Sequence, residues 1–146
     1  MAHRNELGFT LIESLFVLSV FLLIASLSLL FLRPHYSYLE KELFFSQLKT
    51  DIFHAQHHAL SNQRPITFNF DPANHYYYAK DYEGKILLER YYSKNIRAVE
   101  GSLKLSWVFN ANGNMPEFGS IYFKIGTENY RLTFLIGRGR FYVVKE

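Results

Sequence analysis

The sequence has no cysteine, and that absence removes several classes of function together. Without thiols there is no disulfide framework, no thiolate nucleophile and no cysteine-based zinc site. Any fold that the chain adopts must therefore be held by core packing. The 11 Tyr and 14 Phe suit that task, because large aromatic side chains can build a compact core from a chain of 146 residues. This length indicates one domain.

The sequence also lacks the local motifs of an enzyme. Serine, histidine and aspartate are present, but they form no nucleophile elbow, ordered triad or phosphate-binding loop. We therefore expect no catalytic residue and no cofactor; the alternative is a membrane-anchored hydrolase with an unrecognised site. The net charge of +3 is too small to indicate a particular partner.

Charge is nearly missing from one long segment, residues 9–32, whose single ionisable side chain is Glu13. As a helix, this segment would be about 36 Å long, enough to cross a bilayer core of about 30 Å. Arg4 precedes it and favours a cytoplasmic N-terminus. We predict one membrane-spanning helix over 9–32, with the rest of the chain outside the cell.

The residues around the start of this segment do not fit an ordinary secretory signal, which has a shorter apolar core and a small-x-small cleavage site. A plain signal anchor with a chance glutamate is a second alternative. The junction "GFTLIESL" instead resembles the leader of type IV prepilins and their pseudopilin relatives. The resemblance implies a leader over 1–8, cleavage after Gly8 by a prepilin peptidase, N-methylation of Phe9, and a role in subunit assembly for Glu13.

A carboxylate in an apolar segment needs a partner, because an unpaired charge there is costly. If the chain is cleaved after Gly8, the new amine of Phe9 supplies the opposite charge. That amine can belong to a neighbouring subunit in a filament or to the same chain, one helical turn from Glu13. The sequence leaves both pairings open.

Residues 33–64 continue the helix in amphipathic form. Pro34 lacks a backbone N–H, so a kink or local loosening is expected there. Arg64-Pro65 ends the helical pattern. One face of this segment carries apolar residues at intervals of three and four, namely Phe45, Leu48, Ile52, Ala55 and Ala59.

Residues 65–146 are predicted to form a head of short antiparallel strands. "PITFNF" and "LKLSWVF" alternate apolar and polar residues, and "HYYYAKDY" and "KILLERYY" flank a hairpin turn at Glu83-Gly84. Asn112-Gly113 is a further turn signal. The prediction is an α+β, type IV pilin-like fold, with a long N-terminal helix packed on one small antiparallel sheet.

The resemblance extends beyond the leader. "SQLKTDIFHAQHHALSNQRPITF", "WVFNANGNMPEFGSIYF" and "LIGRGRFYVV" resemble the corresponding parts of ComGD-type minor pseudopilins of Gram-positive competence systems. This implies a membrane protein that enters a cell-surface filament for DNA uptake in transformation. The implied partners are the prepilin peptidase and other competence pseudopilins, with an assembly ATPase and a membrane platform protein acting indirectly. The alternatives are an H-type pseudopilin of type II secretion and a monomeric, membrane-anchored surface binding module.

Three histidines have metal-like helical spacing: His54, His57 and His58. His54 and His57 fall opposite the apolar stripe, and no carboxylate completes a ligand set on that side. We therefore interpret them as part of a solvated face and expect no metal site.

Two features could contact DNA. Arg138 and Arg140 in "GRGR" could bind the phosphates of DNA. The simpler interpretation, which we favour, is a tight turn between two strands whose arginine side chains reach water. The tyrosines of the run at 76–78 could stack on bases, but alternation along a strand makes them half core and half surface. Direct DNA binding stays undecided from the sequence.

Overall fold

The structure is a computed structural model that describes residues 10–136 and 139–146. Within those residues the chain forms one helix and eight strands. The helix is α1 (Leu11–Asn62). The strands are β1 (Ile66–Asp71), β2 (Tyr76–Asp81), β3 (Ile86–Tyr91), β4 (Ile96–Glu100), β5 (Ser106–Phe109), β6 (Gly119–Ile125), β7 (Glu128–Phe134) and β8 (Phe141–Lys145). The chain divides between Leu39 and Glu40 into two compact units.

The end of α1 has a defined cap. Gln63 adopts a left-handed backbone conformation with φ of 50°. The Arg64 N–H donates to the Ala59 carbonyl at 3.2 Å, and the Gln63 N–H donates to the Leu60 carbonyl at 3.4 Å. This is a Schellman motif, in which glutamine occupies the position that glycine usually takes. The helix therefore stops just before Pro65, as the sequence predicted.

The predicted apolar stripe of the second unit is confirmed. Leu48, Ile52, Ala55 and Ala59 are fully buried, and Phe45 is nearly so. Alanine at two of these positions lets the helix backbone approach its neighbours closely, while the larger side chains fill the space between them.

The strands form two sheets rather than the single sheet that the sequence predicted. Among the described residues, one four-stranded sheet has the order β3-β2-β1-β5 and the other has the order β4-β6-β7-β8. All pairings are antiparallel, as expected. The order separates β4 from its sequence neighbours β3 and β5, which lie in the other sheet. The sequence pattern did not predict β4.

Aromatic contacts join the helix to the sheet that contains β6, and they join that sheet to the other. Phe44 and Phe45 of α1 lie 5.4 and 5.7 Å from Phe123 of β6, measured between ring centroids. Phe68 of β1 stacks on Trp107 of β5 at 4.8 Å. Trp107 in turn lies 5.1 Å from Phe134 of β7, so the two sheets share one core.

Two turns that contain glycine, at Gly113 and Gly139, contact the same helix residue, Gln56. Its Nε2 donates to the Gly113 carbonyl at 2.9 Å. A Cβ on Gly139 would lie 2.7 Å from that Nε2, and both glycines have φ above 60°. These contacts explain why the "NANGN" and "GRGR" turns need glycine: each requires a left-handed backbone and lies close to the helix.

The buried stripe predicts a large difference between two apolar truncations in α1. We expect Ile52→Ala to lower the free energy of unfolding by about 2–5 kcal/mol, because it leaves a cavity in a fully buried site. Leu43→Ala is the matched control, since Leu43 is exposed and its truncation should cost less than about 0.5 kcal/mol. Denaturant unfolding of the full chain in detergent, followed by fluorescence of buried Trp107, measures both. Equal effects would contradict this packing.

Candidate functional site

The first described residues form a helix cap that includes Glu13. The Glu13 backbone N–H donates to Thr10 Oγ1 at 3.3 Å, and Ser14 Oγ donates to the Thr10 carbonyl at 3.3 Å. Thr10 is thus the N-cap and Glu13 is the third helical residue, the spacing of a capping box. The Glu13 side chain is exposed. Gly8 and Phe9, the expected cleavage and methylation positions, lie outside the described residues.

The segment that begins at this cap is apolar apart from Glu13 and a few serines. Leu11–Ser28 has a mean hydropathy of 2.3, and none of it is buried within the chain. Its serines return their hydroxyls to the helix backbone: Ser19 donates to the Phe16 carbonyl and Ser26 to the Leu23 carbonyl, both at 2.8 Å. Because these hydroxyls are satisfied internally, they are compatible with lipid. The length and composition of this helix are consistent with membrane anchoring.

The second unit contains a buried acid that the sequence pattern did not predict. Asp51 is only 4% exposed, directly beside the apolar stripe. Its Oδ2 accepts a hydrogen bond from the Tyr77 hydroxyl at 2.8 Å and lies 3.4 Å from Arg90 Nε. Its Oδ1 accepts from Gln47 Nε2 at 3.0 Å. Burial and the hydrogen bond to Asp51 raise the pKa of Tyr77, so this hydroxyl stays a donor.

The Asp51 cluster fixes α1 against β2 and β3. Burying a carboxylate costs free energy unless its oxygens accept hydrogen bonds or pair with a cation. Tyr77 and Arg90 supply these contacts to Asp51 in the observed position of the helix, so another position would leave the carboxylate buried without partners. The sequence feature that could have indicated this cluster is the position of Asp51, immediately before Ile52 and at the edge of the buried helix face. Its partners Tyr77 and Arg90 are distant in sequence and face each other across β2 and β3.

A second charged cluster ties the C-terminal strand to the helix. Glu128 at the start of β7 accepts a hydrogen bond from Lys41 Nζ at 3.1 Å and one from the Tyr130 hydroxyl at 2.6 Å. Lys145 of β8 binds its other carboxylate oxygen. The hydrogen bonds from Lys145, Tyr130 and Lys41 lower the pKa of Glu128 to about 2. Hydrogen bonds to Tyr130 and Glu128 raise the pKa of Lys41.

The outer face of α1 in the second unit remains partly apolar. Leu43, Phe53 and Leu60 are all exposed. Phe53 and Leu60 line an open groove of about 580 Å³, whose other side is the turn at Asn112–Asn114. Isolated exposed apolar residues are ordinary, but Phe53 and Leu60 border the same groove, which is typical of a protein contact.

The histidines of α1 lie as predicted: His54 and His57 are exposed. Among residues 10–136 and 139–146, no group of three or more His, Asp or Glu side chains could hold a metal ion.

The "GRGR" segment is partly described. Arg138 lies outside the described residues. Arg140 is exposed beside β8, and its carbonyl accepts a hydrogen bond from the Leu135 N–H at 2.8 Å, which closes the turn between β7 and β8. Contact of Arg138 and Arg140 with DNA therefore stays a prediction.

The fold defines the class of protein. The crystal structure of the type IV minor pilin FimU from Pseudomonas aeruginosa (strain PAO1) matches this chain with a TM-score of 0.56. The match covers 68% of this chain and 84% of FimU, at 18% sequence identity. The chain thus has a type IV pilin-like fold, and the predicted fold class is confirmed.

A sequence comparison then gives the family. The competence protein ComGD of Bacillus subtilis (strain 168) is 32% identical to this chain over 140 residues, covering 94% of this chain and 92% of that protein. The chain belongs to the ComGD family of competence pseudopilins. No protein-family model matches the chain.

The Glu128 cluster predicts a specific acid sensitivity. Because the folded state lowers the pKa of Glu128 from 4.5 to about 2, its contribution to stability is present above pH 4.5 and is lost as the pH falls towards 2. We expect Glu128→Gln to be less stable than the unmodified chain at pH 7, with the difference disappearing near pH 2. Denaturant midpoints across this range test it, with Glu117→Gln, an exposed carboxylate, as the control. A difference independent of pH would contradict the assignment.

Proposed function

We propose that this protein is a minor pseudopilin of a competence pilus. It is made as a prepilin with a leader over 1–8, cut after Gly8 by the prepilin peptidase and N-methylated on Phe9. The helix over 9–32 holds it in the cell membrane with the head outside. It then enters a cell-surface filament with other competence pseudopilins, driven indirectly by an assembly ATPase and a membrane platform protein, and the filament serves DNA uptake.

The observation that carries this proposal is the uncovered apolar surface of the first unit. Leu11–Ser28 forms a helix whose side chains are left exposed by the chain itself. In water such a surface would drive aggregation, so it requires lipid or other apolar helices. A pilin-type subunit meets both requirements in turn, first in the membrane and then in the helical core of a filament.

Glu13 supports the assembly step. After cleavage, the Phe9 amine and the Glu13 carboxylate would both be charged in an apolar environment, and pairing offsets the cost that each would have alone. Position three of the helix also favours a negative charge, because backbone N–H groups point towards the N-terminus. The helix N-terminus can therefore stabilise the Glu13 carboxylate before it pairs with a Phe9 amine. That pairing would set the register of the subunit relative to its neighbour in the filament.

The outer face of α1 offers the next contact. Leu43, Phe53 and Leu60 stay exposed, although the Phe53 ring also lies 4.9 Å from that of Phe141 of β8. In a filament, this face would pack against neighbouring subunits, with the groove beside Asn112–Asn114 receiving apolar side chains. The buried Asp51 cluster would keep the head in one position on its helix, so that successive subunits repeat the same contact.

Processing is tested by intact mass measurement of the full chain with and without the prepilin peptidase. We expect the peptidase to remove residues 1–8 and the product to gain one methyl group. Gly8→Leu should stay uncut, whereas Asn5→Ala in the same leader should be cut normally. An unchanged mass in the presence of active peptidase would favour the monomeric anchored module and would reject the prepilin assignment.

The role of Glu13 is tested with two variants that separate charge from capping. Glu13→Gln keeps the capping-box chemistry but loses the charge, whereas Glu13→Ala loses both. We expect both variants to be cleaved normally and to enter sheared filaments at least roughly tenfold less than the unmodified chain, because the Phe9 amine stays unpaired. Transformation frequency should fall in parallel. Normal assembly of Glu13→Gln would show that capping, not charge pairing, is the function of Glu13.

A further inference from the structure

The outer face of the sheet β3-β2-β1-β5 carries three neighbouring tyrosines. In the run at 76–78, Tyr77 is buried towards α1, while Tyr76 and Tyr78 occupy the opposite face of β2. The register of β2 and β3 places Tyr91 directly opposite Tyr76. We call Tyr76, Tyr78 and Tyr91 the tyrosine row.

The rings of the tyrosine row form one continuous surface. Tyr76 and Tyr78 lie 5.7 Å apart between centroids with an interplanar angle of 22°, and Tyr76 and Tyr91 lie 5.4 Å apart at 31°. These distances between ring centroids are similar to the length of one hexose unit in a polysaccharide chain. Tyr91 is 73% exposed, so most of its ring area remains available to a ligand. Cross-strand pairing stabilises a sheet, but that alone does not require so much aromatic surface to face water.

The charges around the row decide the chemistry of the ligand. Two carboxylates border it: Asp71 lies opposite Tyr76 in the β1–β2 register, and Glu89 lies opposite Tyr78 in the β2–β3 register. A cation also lies beside the row: Lys80 Nζ is 5.8 Å from the Tyr78 ring centroid. A polyphosphate backbone would meet more negative than positive charge here, so nucleic acid fits this surface poorly.

A neutral polymer rich in hydroxyl groups fits the same surface well. The C–H faces of sugar rings can lie against the negative faces of aromatic rings. Glu89 can accept hydrogen bonds from sugar hydroxyls, and Lys80 can donate to them. Asp71 is already occupied in its own turn, where it accepts from the Ala73 and Asn74 backbone N–H groups, so it contributes a fixed negative charge.

We propose that the tyrosine row is a binding surface for a neutral carbohydrate chain, which stacks along Tyr78, Tyr76 and Tyr91 and hydrogen-bonds to the flanking Glu89 and Lys80. This adds a ligand to the head, beyond the subunit role proposed above. It also gives a role to the half-buried tyrosines of the run, Tyr76 and Tyr78, which subunit assembly leaves unexplained.

The test titrates the full chain with chitohexaose and with cellohexaose, in a zwitterionic detergent because sugar-based detergents would compete. We expect saturable binding of at least one oligosaccharide, with little dependence on salt, since no counterion is released. Tyr91→Ala should weaken that binding roughly tenfold, the effect of losing one stacked ring. Tyr91→Phe should retain most of it. Tyr142→Ala on the other sheet is the matched control and should bind normally.

Three results would overturn the proposal: saturable binding of neither oligosaccharide, equal losses in Tyr91→Ala and Tyr142→Ala, or stronger binding of single-stranded oligothymidylate at the row. Unfolding midpoints of each variant exclude a loss caused by misfolding. Cleavage of Tyr91→Ala by the prepilin peptidase should be normal, so a failure of this proposal is distinguishable from a failure of the proposed function.

Discussion

One face of α1 in the second unit is buried by both sheets at once, and the head depends on that contact. Phe44 and Phe45 reach β6, Asp51 bonds to Tyr77 of β2, and Gln56 contacts the turn containing Gly113. With no cysteine, core packing must supply the stability that disulfides give many extracellular domains. The helix is therefore the central core element of the head as well as its connection to the first unit.

The two units satisfy opposite physical requirements. The second unit buries its apolar side chains within the chain, around Leu48 and Trp107. The first unit leaves Leu11–Ser28 exposed and satisfies its serine hydroxyls internally. One is a complete core, and the other is a surface that needs lipid or neighbouring helices. This contrast between the two units agrees with membership of the ComGD family of competence pseudopilins.

Local patterns predicted most of the elements because their causes are local. Ile66, Phe68 and Phe70 alternate along β1 and are buried as expected, and the stop at Pro65 coincides with a Schellman motif. β4 was missed because only Ile96 and Ala98 point inward, which is too weak an alternation to detect. The single predicted sheet was wrong because pairing of β1 with β5, and of β4 with β6, joins residues far apart in sequence. Asp51 and Glu128 were missed for the same reason, since their partners lie on other elements.

The sequence by itself determined the family, the apolar segment with its single acid at Glu13, and the helical face that enters the core. These features follow from the composition of each segment and from the spacing of its apolar residues, which do not depend on the rest of the chain. Tertiary structure decided how the described strands divide into two sheets, which charges are buried, and which tyrosines of the run lie on the outer face of the sheet. Those features depend on strand register and on contacts between distant segments, where one change of pairing would move every side chain to another environment.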